Sequence, residues 1–104
     1  MQDRRGIILL MFDMPAKEAS EKAIYRDLTK ILKGEGFIRL QKSVYVRVVT
    51  NLGEVMPYMK RLEKQLPKKG DIIIMTVPIR TFKKIIHLGS GNIPLNVADE
   101  VLIL

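Results

Sequence analysis

The chain has 104 residues, with 18 Lys+Arg against 11 Asp+Glu, a formal charge of +7, and no cysteine. That length suits one domain with one core, and the lack of thiols excludes disulfides and thiolate metal centres and fits a reducing compartment. The longest apolar run, Ile7–Phe12, is too short for a membrane span or a secretory leader, so the chain reads as cytoplasmic with no membrane partner.

Excess positive charge favours polyanionic partners, nucleic acid first. Ile7–Phe12 reads as a strand, central in its sheet and buried on both faces, and Pro15 stops it. Glu18–Lys33 has helical spacing, with Ile24, Leu28, Ile31 and Leu32 on one face and Glu18 and Glu21 in the first turn. Lys33-Gly34 is its expected end. Gly36–Leu40 opens a second strand and Val44–Thr50 a third. Asn51-Leu52-Gly53 is a turn, and Leu52, Val55, Met56, Met59, Leu62 and Leu66 make a second amphipathic helix. After an exposed turn at Pro67–Asp71, Ile72–Val77 reads as a fourth strand, apolar enough to be central, ended by Pro78. The order strand, helix, strand, strand, helix, strand is the ferredoxin-like βαββαβ pattern, an α+β fold with two helices on one face of an antiparallel sheet. Residues 1–80 would form this core. Residues 81–104 would add a fifth strand at Phe82–Leu88, a loop at Gly89–Asn92 and the apolar end Val101–Leu104. That end could pair with a second subunit's sheet or a partner protein, or fold back on its own domain.

Few residues carry chemistry. Gly89–Asn92 lacks phosphate-loop spacing, and Ser43 has no triad context. His87, the single histidine, lies within the fifth-strand pattern with no evident acid or base near it in sequence. Asp13 stands where the first strand ends. Either it caps the turn at Met14-Pro15, or it serves as a hard oxygen ligand for Mg²⁺ or Mn²⁺. One acid is too few for such an ion, but a two-fold axis would duplicate it. Two carboxylates about 5 Å apart repel by roughly 3 kcal/mol at an effective dielectric of 20, which a divalent cation or a shared proton relieves. On the first helix, Lys22, Arg26, Lys30 and Lys33 fall within about 80° of one another, opposite the apolar face, and the stripe could track about 16 Å of phosphate backbone or simply be solvated. Arg39, Lys42 and Arg47 add charge near the hairpin.

MFDMP at 11–15, Gly36-Phe37, LQKSVYVRV at 40–48 and RTFKKIIHLG at 80–89 together resemble the CRISPR-associated (Cas) protein two family, the small spacer-acquisition subunit, most like its type II branch. The resemblance covers nearly the whole chain. It implies a ferredoxin-like homodimer whose final strand and tail add to the partner subunit's sheet. It also implies a metal-dependent endonuclease assignment, with Asp13 as catalytic residue and ligand, facing its twin across the dimer. It further implies a complex in which the dimer bridges integrase subunits along duplex DNA, where cleavage is idle and the role architectural. Val101, Leu102, Ile103 and Leu104 would be the docking strand. Phe37 would either wall the same rim or pack in the core, and Lys22, Arg26, Lys30, Arg39 and Lys42 would contact the nucleic-acid backbone, DNA or RNA. One departure stands out. PAKEASEK at 15–22 offers Lys17 and Lys22 where many members carry arginines, and lysine binds phosphate as a point charge without a bidentate grip.

Three other readings share the topology. A ribonuclease toxin of the virulence-associated D type would cut RNA selectively. A non-enzymatic RNA-recognition domain would need exposed aromatics on its middle strands, where only Tyr45 is available. A small-molecule regulatory domain would not be expected to carry +7.

Overall fold

A computed structural model describes residues 3–96. Strand β1 (Gly6–Asp13) leads to helix α1 (Ala19–Gly34), then strands β2 (Ile38–Gln41) and β3 (Val44–Val49). A short 3-10 turn (Leu52–Glu54) runs into helix α2 (Val55–Glu63), followed by β4 (Asp71–Pro78) and a single helical turn, α3 (Ile79–Phe82). The sheet order is β2-β3-β1-β4 with every pairing antiparallel. The α+β, ferredoxin-like arrangement expected from the sequence is thus the one observed.

Local chemistry sets the element ends. Glu21 accepts the backbone N–H groups of Glu18 (3.1 Å) and Lys17 (3.2 Å), satisfying donors that the first turn of α1 leaves orphaned. The helix ends at Lys33-Gly34 as expected, and the left-handed residue that closes it is Gly36, with φ 87°. There Gly36 N–H reaches Lys33 O (3.1 Å) and Phe37 N–H reaches Leu32 O (2.9 Å), the paired bonds of a Schellman ending.

Alternation along β1 divides the core in two. Ile8, Leu10 and Phe12 join Leu28, Leu32, Phe37, Tyr45 and Leu62 beneath the helices. Ile7 lies on the opposite face with Val46, Ile79 and Phe82, and Leu9, Ile93 and Leu95 pack against that group. Phe37 therefore belongs to the core, not to a site rim. Tyr45 is buried against Phe12, so no aromatic platform for stacking bases exists on β3.

Two expectations are corrected. Among the described residues β4 is an edge strand, paired only with β1. Its continuous apolar run reflects faces that need covering, not two paired edges, and Ile73 and Met75 stay 64% and 47% exposed. Phe82–Leu88 is not a strand. Ile79 and Phe82 are buried together three residues apart, which a helical turn permits and a strand would place on opposite faces. Ile86 and Leu88 beyond it are exposed, and so is His87, in irregular backbone.

The helices are tied through Glu35, just past α1. Its carboxylate accepts from Gln65 (2.8 Å) and Arg61 (3.3 Å), and its carbonyl accepts from Arg47 Nε (2.8 Å) and Tyr58 (3.2 Å). The Tyr58 ring lies 4.5 Å from the Arg47 guanidinium and 5.1 Å from that of Arg61. Arg47 is thereby committed to the fold. The hydrogen bond from Gln65, then the Arg61 charge, hold the Glu35 carboxyl below its usual 4.5. A lowered folded value means that the ionised form stabilises the protein above the unfolded value, and that this contribution is lost as pH falls through the folded one. Glu35→Ala should cost about 1 kcal/mol at pH 7. In urea titrations its gap from the parent protein should narrow below about pH 4.5.

Candidate functional site

The end of β1 carries Asp13 to the rim of the sheet face opposite the helices. Strand alternation places Asp13 with Ile7, Leu9 and Met11, and their register partners on β4 are Asp71, Val77, Met75 and Ile73. This face is apolar and partly uncovered, and Asp13 lies on its edge. Asp13 is exposed, and its carboxylate takes part in no hydrogen bond or ion pair among the described residues. The turn-capping role for Asp13 is therefore without a bond to support it.

Asp71 is the functional candidate that sequence reading missed. It opens β4 as Asp13 closes β1, and the antiparallel register sets them directly opposite. The signal was available, since a first strand ending in an acid and a neighbouring antiparallel strand beginning with one must juxtapose the two. Reading it required knowing that β1 and β4 are neighbours. Like charges in this position destabilise a sheet. Two carboxylates on one face are a hard oxygen donor set that fits Mg²⁺ or Mn²⁺. No group of three His, Cys, Asp or Glu side chains that could hold a metal occurs among the described residues, so one chain offers only part of a coordination shell. A divalent ion there would supply charge neutralisation at a phosphodiester and a more acidic bound water. The chain's own contribution is to fix the carboxylates at the rim.

The nucleic-acid candidates fall into two places. Lys22, Arg26, Lys30 and Lys33 are all exposed on α1, and none forms an ion pair among the described residues. Because α1 runs back along the sheet, the stripe extends from the Asp13 end toward the Gly6 end. Arg39 on β2 is paired in register with Tyr45 and so lies on the helix side of the sheet. Lys42 is in the β2–β3 turn beside Ser43, whose carbonyl accepts the N–H of Phe12 (3.0 Å), which brings Lys42 to the Asp13 end. Lys42 thus lies at the same end of the sheet as Asp13, whereas Arg26, Lys30 and Lys33 lie along the helix. Val101, Leu102, Ile103 and Leu104 lie outside the described residues. No helix among the described residues is long and apolar enough to cross a membrane.

Comparison with known proteins agrees with this architecture. Residues 7–85 match the family model described as CRISPR associated protein Cas2. The CRISPR-associated endoribonuclease Cas2 of Streptococcus mutans serotype c is 41% identical over 82 residues, covering 79% of this chain and 77% of the relative. The protein of the same name from Treponema denticola is 31% identical over 98 residues, covering 93% and 97%. That from Ligilactobacillus salivarius is 43% identical over 63 residues, covering 61% and 62%. With the family match spanning both acids, nearly all of β1, and the whole of α1 and β4, the chain belongs to the Cas2 family of CRISPR defence proteins.

Proposed function

We propose that the protein acts as a homodimeric subunit of CRISPR spacer acquisition that lies along duplex DNA and bridges integrase subunits, with a Mg²⁺- or Mn²⁺-dependent phosphodiesterase centre at Asp13. The observation that carries this reading is the position of Asp13 on the rim of an uncovered apolar face containing Ile73 and Met75. Packing two such faces about a two-fold axis buries the apolar residues and brings two Asp13 carboxylates, each with Asp71 beside it, toward one axis. Four carboxylates, a substrate phosphate and water then suffice for a hard divalent ion. The name endoribonuclease carried by the relatives favours RNA as the cleaved strand. The α1 stripe, with Arg39 and Lys42, supplies sequence-independent backbone contacts. Val101–Leu104 is the segment that docks on the partner subunit or the integrase.

Light scattering at micromolar concentration tests the dimer on which this depends. The wild type is expected at twice the 11.9 kDa chain mass, and Ile73→Lys, which sets a charge in the apolar face, at the mass of one chain. A monomeric wild type would remove the shared centre.

A further inference from the structure

The turn between α2 and β4 is built onto the backbone of the candidate site. Gly70 has φ 85°, and a Cβ placed there would come 2.9 Å from the carbonyl oxygen of Asp13 and 2.7 Å from Met14 Cγ. A methionine side chain can move away, but the Asp13 carbonyl moves only if the strand end moves. The same turn is held from its other side by Lys69, whose Nζ lies 3.5 Å from Glu21 Oε2. Glu21 is also the residue that organises the start of α1 by accepting the Lys17 and Glu18 N–H groups. Residues 13–18 are thus bracketed between the Gly70 backbone and the Glu21–Lys69 tie, and the residue following Gly70 is Asp71 itself.

We infer that Gly70 is a positioning residue for the divalent-cation centre, its missing side chain letting the α2–β4 turn seat against the Asp13 carbonyl and set both Asp13 and Asp71 at the rim. The inference rests on the reading of Asp13 as a cation ligand. Groups that orient metal ligands without touching the metal commonly change affinity by about 10–100-fold when altered. A Cβ at Gly70 has that effect by displacing the backbone of one ligand and the neighbour of the other.

The test uses the full-length protein and Mn²⁺ binding followed by electron paramagnetic resonance, with melting temperature measured alongside. Gly36 supplies the control. It has nearly the same left-handed φ, 87°, but an added Cβ there meets Arg47 Nε at 3.1 Å, at the far end of α1 and away from both acids. Gly70→Ala should weaken Mn²⁺ binding at least tenfold, while Gly36→Ala stays within twofold of wild type despite a comparable fall in melting temperature. Gly70→Ala binding within twofold of wild type overturns the inference, as does an equal loss in both variants, which would make backbone strain sufficient. Asp13→Ala is the separate arm. If it binds Mn²⁺ as the wild type does, the ligand reading itself fails and the positioning role falls with it. Where Gly70→Ala does not fold, Gly70→Asn takes its place, because asparagine accepts left-handed backbone while keeping the added Cβ.

Discussion

Replacing Asp13 by alanine should remove Mg²⁺-dependent cleavage of single-stranded RNA, lowering the rate at least about a hundredfold, or about 2.7 kcal/mol of transition-state stabilisation. Asp13 is the carboxylate that β1 delivers to the rim, and a dimer loses two of them with one substitution. The fold should not suffer. The Asp13 carboxylate is exposed and makes no hydrogen bond or ion pair among the described residues, and its removal relieves the opposition to Asp71, worth about 0.5 kcal/mol. The variant therefore separates chemistry from stability, which few substitutions at a centre achieve. Gel assays of wild type and Asp13→Ala with labelled RNA and duplex DNA, in Mg²⁺ or in EDTA, read the outcome. Cleavage lost both in the variant and in EDTA assigns the reaction to this centre. Equal binding without cleavage in either protein makes the role architectural, with the acid pair idle. Cleavage that survives in the variant places the chemistry elsewhere.

The parts of the fold legible in the sequence were those fixed by periodicity. Ile24, Leu28, Ile31 and Leu32 announce α1, and β-branched residues announce β3, because each pattern has one cheap way to bury its apolar side. What stayed hidden depended on long-range pairing. The run Ile72–Val77 says that its faces need covering, and nothing in it says that one edge lacks a neighbour among the described residues. Phe82–Leu88 has strand-like composition, yet the joint burial of Ile79 and Phe82 with Ile7 and Val46 favours a helical turn, and that cluster exists only once the sheet is assembled. The site divides in the same way. Asp13 is visible because a lone acid ends an apolar run. Asp71 is invisible until β1 and β4 are known to pair. Gly70 looks like an ordinary turn glycine until the Asp13 carbonyl is found against it. The α1 stripe is a middle case. Helical geometry predicts it, but only the structure shows that its four cations are unclaimed by carboxylates among the described residues, whereas Arg47, equally basic in sequence, is held by Glu35 and Tyr58.

That difference between free and committed cations sets the second large effect, the salt dependence of nucleic-acid binding. Each phosphate neutralised on duplex DNA contributes about −0.9 to the slope of log K against log salt. If one α1 stripe engages all four of its cations, the slope is about −3.6, and affinity falls roughly 150-fold between about 50 and 200 mM salt. A dimer that lays both stripes on one duplex steepens this further. Substituting Lys22, Arg26 and Lys30 together by alanine should make the slope shallower by about 2.7 per engaged stripe. Alanine is the best helix former, so α1 itself should be preserved. Arg47→Ala behaves differently. It breaks the hydrogen bond to the Glu35 carbonyl and the stack on Tyr58, so it should lower the melting temperature and leave the slope nearly unchanged. Fluorescence anisotropy with a labelled duplex over a salt series measures both. A flat response in the wild type would mean that the α1 cations are merely solvated, leaving the centre at Asp13 without its approach surface. A steep response insensitive to the triple substitution would move the contact surface off α1. A steep response flattened by that substitution, with Arg47→Ala affecting stability alone, would mean that the positive charge is divided between cations that hold the helices together and cations left free to hold a phosphate backbone.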